Sequence, residues 1–284
     1  MKASVLLICL LLSTFIFPQS DTSPKLYPFA DEQVPLEKTL PAEHKEVLEQ
    51  HGDAYSRKQQ WHKAAECYKK LVMRYPDVAN YHYKYGGALG MLALTDKLKA
   101  IGLISKIKKA FKEAAHLDPE HKAVRWALVE LYMQLPGILG GSQKKALRYA
   151  EELEKLNAVE GYLAKGYSYE HDHELKKAKT YYTMALNNLH TIREFSKNRL
   201  HYTIGKLCSD YNTKPDQGLY HLQKYIEHNT SYYEIELPVV YYTMAKLYRQ
   251  KREKEKALVW IRKALVHNPT LKAAQKEKAL IEAL

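Results

Sequence analysis

The chain has 284 residues, 46% of them hydrophobic and 27% charged, a balance that supports a folded core beneath a soluble surface. Lysine and arginine outnumber aspartate and glutamate by 44 to 32, a surplus that attracts anionic partners in a salt-dependent way. Three cysteines in this length exclude a disulfide framework, and tyrosine is abundant, 23 against 5 phenylalanines, supplying flat area with a polar tip.

Residues 1–20, MKASVLLICLLLSTFIFPQS, read as a secretory signal peptide. Lys2 provides the positive start, and Val5 to Phe17 an apolar core too short to span a bilayer. Cleavage is expected near Gln19 or Ser20, with an uncleaved membrane anchor as the alternative. Cys9 lies inside the apolar core rather than just after it, so no lipidation site is expected. The expected location is therefore periplasmic or secreted. Loss of Lys2 leaves 43 basic against 32 acidic side chains. An exported chain of that charge meets envelope polymers or lipid head groups rather than nucleic acid. Cys67 and Cys208 would remain, both expected as small core residues. Residues 21–40, with prolines at 24, 28 and 35 and Pro41 just beyond, read as an extended linker.

From residue 41 to 284 helical periodicity takes over. In the first segment Gly52 is followed after three residues by Tyr55, after twelve by Ala64, after sixteen by Tyr68 and after twenty-four by Pro76. Small residues let two antiparallel helices approach closely, large aromatics fill the gaps beside the crossing, and proline ends the pair. A second segment places Gly86, Phe111, Ala114 and Pro119 in the same roles, with nine extra residues assigned to an insertion near 92–104. That insertion opens a lysine-rich stretch, TDKLKAIGLISKIKKAFKEAA, in which Leu98, Ile101, Ile104, Ile107 and Phe111 form an apolar stripe. Lys106, Lys108, Lys109 and Lys112 form a patch that could meet an anionic membrane surface. Phe111 and Ala114 hold core positions of the pattern, so the stripe itself is expected to face inward.

The third segment, with Val129, Tyr132 and Ala146, carries five extra residues in a turn near 135–141, LPGILGGS. Its glycines resemble a phosphate-binding loop only superficially. Neither a preceding strand nor a Gly-Lys-Ser/Thr ending is present, so Pro136-Gly137 and Gly140-Gly141 turn a corner and Ser142 caps the next helix. The fourth segment repeats the first spacing with Gly166, Tyr169, Ala178 and Tyr182. Its turn EHDHEL holds His171, His173 and Glu174, which could ligate a metal, but no further ligand is placed by the sequence and a polar turn is expected. Gly205 and Gly218 mark a fifth segment; Ala245, Tyr248, Ala257, Ile261 and Pro269 mark a sixth at the original spacing. TLKAAQKEKALIEAL follows as a solvating cap.

This pattern resembles the tetratricopeptide repeat, a helix-turn-helix unit of 34 residues. The resemblance implies an all-α, TPR-like α-solenoid of about six antiparallel helix pairs plus a capping helix. The enlarged second pair, the LPGILGGS turn and the basic helix also resemble an exported bacterial subgroup similar to the regulator-of-microtubule-dynamics family, a likeness that carries architecture and no catalytic residue. In such repeats the first helices line a concave groove. Three residues before each crossing stand Glu49, Tyr83, Trp126, Leu163, Tyr202 and Tyr242; one residue after it stand Asp53, Gly87, Glu130, Tyr167, Lys206 and Lys246, with Arg249 one turn further on. The expected partner-binding groove comprises Tyr83, Trp126, Tyr167, Tyr202, Lys206, Tyr242, Lys246 and Arg249, although the same aromatics could instead pack between helices. The family's carboxylate clamp of Lys, Arg and Asn is only partly matched, by Lys206, Lys246 and Arg249. No catalytic motif is present, and neither a cofactor nor a metal is expected. The expected function is an exported scaffold for protein or peptide partners in the cell envelope. The alternative is a basic binder of anionic lipid head groups or polymers.

Overall fold

A computed structural model describes residues 45–95, 97–191, 198–228 and 235–284; the expected signal peptide and linker lie outside these. Among the described residues there are thirteen α-helices, two short 3-10 helices and no β-strand. They are α1 (Lys45–Arg57), α2 (Trp61–Arg74), α3 (Ala79–Thr95), α4 (Lys97–Leu117), α5 (Lys122–Gln134), α6 (Gln143–Leu156) and α7 (Ala158–His171), followed by α8 (Leu175–Asn187), α9 (Arg199–Asp210), α10 (Pro215–Glu227), α11 (Leu237–Gln250), α12 (Lys254–His267) and α13 (Lys272–Glu282). The chain divides into two compact units, with the boundary at Leu128 and Val129 inside α5.

In the first unit α1 pairs with α2 and α3 with α4. The crossings are as tight as the spacing predicts. A Cβ on Gly52 would stand 2.5 Å from the Tyr68 ring, and one on Gly86 would stand 2.7 Å from the Phe111 ring. The nine extra residues of the second pair lengthen its two helices, which run as far as Thr95 and resume at Lys97.

In the second unit α7 pairs with α8, α9 with α10 and α11 with α12, and α13 closes against α11 and α12. Gly166 meets the Tyr182 ring at 2.3 Å and Gly205 meets Leu222 at 2.3 Å, again measured from an added Cβ. Ala245 and Ile261 are fully buried together with Ala257, Ala264, Ala274 and Ile281, so the capping helix shares the core of the last pair. The end of α5 is joined to α6 by stacked rings, Tyr132 on Tyr149, with centroids 5.9 Å apart and planes 7° from parallel. Between them LPGILGGS turns the corner: Gly140 takes a left-handed conformation, a Cβ on Gly141 would overlap the Leu135 carbonyl, and Ser142 accepts a hydrogen bond from the Lys145 amide.

The hydroxyls explain why tyrosine replaces phenylalanine. Tyr68 donates to Asp53 at 2.6 Å, Tyr182 to Glu170 at 2.7 Å and Tyr225 to the Ile235 carbonyl at 3.0 Å. Each ring fills a crossing while its polar tip is satisfied at the edge of the core.

Three turns repeat in atomic detail. Gln59, His173 and Arg252 all have φ near 60°, each seven residues after Gly52, Gly166 and Ala245 respectively. The next residue's amide donates five residues back, Gln60 to Tyr55, Glu174 to Tyr169 and Glu253 to Tyr248, at 2.8–3.0 Å. Left-handed backbone is costly for a residue with a Cβ. Gln59→Gly is therefore expected to stabilise the chain by about 1 kcal/mol, read as a higher urea midpoint at unchanged slope.

Candidate functional site

In the first unit the first-helix positions are largely filled from within. Tyr83 is only 4% exposed, set against the Phe111 ring at 6.0 Å and the His121 ring at 4.9 Å. Trp126 is buried as well. Of the two alternatives for these aromatics, packing is what the structure shows. The acidic end of this surface is also engaged: Lys84, on α3, donates to Glu49 at 2.7 Å and to both Asp53 oxygens at 2.8 Å. Tyr81 donates to Glu49 at 3.2 Å. Burial, then the Asp53 carboxylate, pushes the Tyr68 phenol far above its ordinary range.

The second unit keeps an accessible first-helix surface. Tyr167 and Tyr242 are half-buried, Lys206 is exposed, Lys246 and Arg249 are half-buried, and Tyr202 lies deeper against Tyr225. Lys206 on α9 and Lys246 on α11 converge on one carboxylate, donating to Asp210 at 2.6 and 2.9 Å. Burial alone would raise the Asp210 carboxyl, yet the hydrogen bonds from the two lysines outweigh it and hold the group below the usual carboxylate range. Lys206 is raised correspondingly: desolvation opposes its charge, and the Asp210 hydrogen bond overcomes that. Arg249 is bound by Glu277, a buried carboxylate delivered by α13. Tyr167 accepts a hydrogen bond from Gln134 at 3.4 Å, and burial pushes its phenol up to about 12.

Sequence spacing singled out the cations of this surface and missed their partners. Asp210 lies four residues after Lys206 on the same helix face, a signal that pair spacing makes available. Glu277 sits in a segment whose sequence shows only that it caps the last pair.

The remaining candidates are placed as follows. Lys106, Lys109 and Lys112 are exposed and Lys108 is half-buried. Ile107 and Phe111 face the core as expected, but Ile101 is 62% exposed and departs from the inward stripe. A spacing of three residues drifts about 60° per step around an α-helix, so a stripe built on threes rotates out of contact. In the EHDHEL turn His173 serves the left-handed turn position, Glu174 is held by Lys177 at 2.5 Å and Gln143 at 2.9 Å, and His171 leans on the Tyr167 ring. Among the described residues no three His, Cys, Asp or Glu side chains gather to hold a metal ion. Cys67 and Cys208 are buried, and burial pushes the Cys208 thiol up to about 11. No helix among the described residues is long and apolar enough to cross a membrane.

The family model described as tetratricopeptide repeat matches residues 238–265, within the sixth helix pair. No curated protein matches the sequence. Among solved structures, the Cut9–Hcn1 hetero-tetramer of the APC/C is similar at 14% identity over 84% of this chain and 42% of that one, with a TM-score of 0.55. PilF of Pseudomonas aeruginosa is similar at 11% identity over 83% of this chain and 96% of that one, with a TM-score of 0.51. A tetratricopeptide repeat protein from Parabacteroides merdae is 13% identical over 84% of each chain, with a TM-score of 0.46. At these identities the likeness is one of fold. The fold is a TPR-like α-solenoid, an architecture typical of protein–protein interaction scaffolds and generally non-catalytic.

Proposed function

We propose that this TPR-like solenoid is an exported scaffold that binds protein or peptide partners in the cell envelope through the first-helix surface of its second unit. The observation that carries the reading is the convergence of Lys206 and Lys246, from successive helix pairs, on the single Asp210 carboxylate. One carboxylate bonded between two ammoniums leaves donor capacity over, beside the half-buried ring of Tyr242, while Glu170 adds a second negative charge acting on Lys206. An extended segment carrying an acidic side chain or a terminal carboxylate suits that arrangement. The anion would meet donors already fixed in place, and flat rings would bury its neighbours at little entropic cost. Export rests on the signal read in residues 1–20, and the envelope is the compartment that signal implies.

The test is a crosslinking pulldown from the envelope fraction with a photoreactive residue at Tyr242. The wild-type protein recovers a defined partner set, and Lys206→Glu/Lys246→Glu loses it at unchanged helix content. Recovery of the same partners by the double variant would overturn the assignment. Asp210→Asn frees both lysines and is expected to tighten a fluorescent poly-glutamate peptide about tenfold by anisotropy, with the gain erased at high salt.

A further inference from the structure

The first unit carries a second kind of surface, on the opposite members of its helix pairs. The outward face of α2 presents Lys63, Lys69, Lys70 and Arg74, all exposed, around Met73, which is 73% exposed. Its one exposed acid, Glu66, faces His62 at 3.4 Å. The outward face of α4 presents Lys106, Lys109 and Lys112 with Ile101, and α4's only acid, Glu113, is half-buried. None of these seven cations has a carboxylate partner among the described residues. The contrast with Lys84 is sharp, since Glu49 and Asp53 are both committed to that buried ammonium. α2 and α4 are the second helices of successive pairs, and stacking of repeats brings second helices to a common side.

We infer that the outward faces of α2 and α4 dock the first unit on an anionic lipid bilayer, independently of the partner surface in the second unit. Charge complementarity calls for a polyanion, and the residue types choose among polyanions. Six of the seven cations are lysines, whose aliphatic stems lie along an apolar boundary while their ammoniums reach the phosphates. Met73 and Ile101 stand bare among them, suited to the boundary between head groups and acyl chains. A nucleic-acid strand would instead call for arginine forks and exposed aromatic platforms, and these faces have one arginine and no exposed aromatic ring.

The full chain is to be sedimented with phosphatidylcholine vesicles, with and without about one-third phosphatidylglycerol. All variants share residues 1–20, so any membrane affinity of that segment cancels in the comparison. Wild-type protein is expected to bind the anionic vesicles at least about tenfold more tightly, with Lys69→Glu/Lys70→Glu and Lys106→Glu/Lys109→Glu each losing most of the difference. Lys206→Glu/Lys246→Glu changes the net charge equally and should bind vesicles as the wild type does. Met73→Ser/Ile101→Ser, which alters no charge, should weaken vesicle binding about threefold and leave binding to soluble polyphosphate unchanged. Equal binding to neutral vesicles, or equal loss in the Lys206/Lys246 variant, would overturn the proposal. So would full vesicle binding by the serine variant, which would reassign the faces to a soluble polyanion.

Discussion

Gly161→Ala is expected to destabilise the second unit by about 3 kcal/mol, although alanine is the better helix former. Gly161 lies in the first turns of α7, where α6 crosses at backbone distance. An added Cβ would stand 2.2 Å from the Glu154 Cα and 2.5 Å from its amide nitrogen. A side chain in that position could rotate aside, but helix backbone cannot, so α6 and α7 must separate. Gly102 is the matched control, because it lies in α4 with nothing within 4 Å of an added Cβ. There the alanine should stabilise by about 0.5–1 kcal/mol, the ordinary propensity gain in a helix interior. Urea unfolding of both variants separates steric cost from propensity, and two shifts of the same sign would refute the packing argument. The consequence reaches the partner surface, since Tyr167 stands on the same helix, six residues beyond Gly161.

Gly161 also shows where the sequence stops being legible. Gly52 and Gly166, at intrapair crossings, announce themselves by the same sixteen-residue distance to Tyr68 and Tyr182, and Gly86 by that distance to Phe111 once the nine-residue insertion is allowed for. Each of these contacts lies within one repeat and is copied along the chain. The contact of Gly161 with Glu154 joins neighbouring pairs, so no spacing within a repeat betrays it. The same division runs through the partner surface. Periodicity placed Lys206 and Lys246 on first helices, because facing direction follows from position in the repeat. It could not show that they share Asp210, nor that Glu277 returns from α13 to bind Arg249, because those contacts depend on how successive pairs stack. The aromatics follow a similar rule. Tyr83 and Trp126 share a repeat position with Tyr242, yet they are buried, Tyr83 against Phe111 of the lengthened second pair and against His121. Position in a repeat specifies direction, while exposure is decided by what the adjoining pair supplies.

A buried histidine pair makes the second unit acid-sensitive. His201 on α9 and His221 on α10 face each other with their Nδ1 atoms 2.9 Å apart, a contact that requires one ring to donate and the other to accept. Tyr220 closes edge-on against His221, and Lys224 and His228 both add positive field at His201. Burial first, and for His201 the neighbouring cations as well, lowers both imidazoles to about 4. In the unfolded chain each takes its proton near pH 6.5. Between pH 6.5 and 4 the unfolded state therefore holds protons that the folded state refuses, and stability falls as pH falls through that window. Above pH 6.5 both states are neutral and the pair contributes no slope; below about 4 the folded rings are protonated too and the decline levels off. Each unit of displacement is worth about 1.4 kcal/mol, and screening at the half-exposed His201 reduces the total for the pair to about 3 kcal/mol. His201→Gln/His221→Gln keeps amide groups in the cleft without a titrating ring. Urea unfolding across pH 7 to 4 should show the wild type losing that stability and the double variant losing little of it, with His171 contributing equally to both. Parallel pH profiles would mean that the rings take up protons inside the folded unit without cost. In that case the short contact between them would be held by something other than two neutral imidazoles.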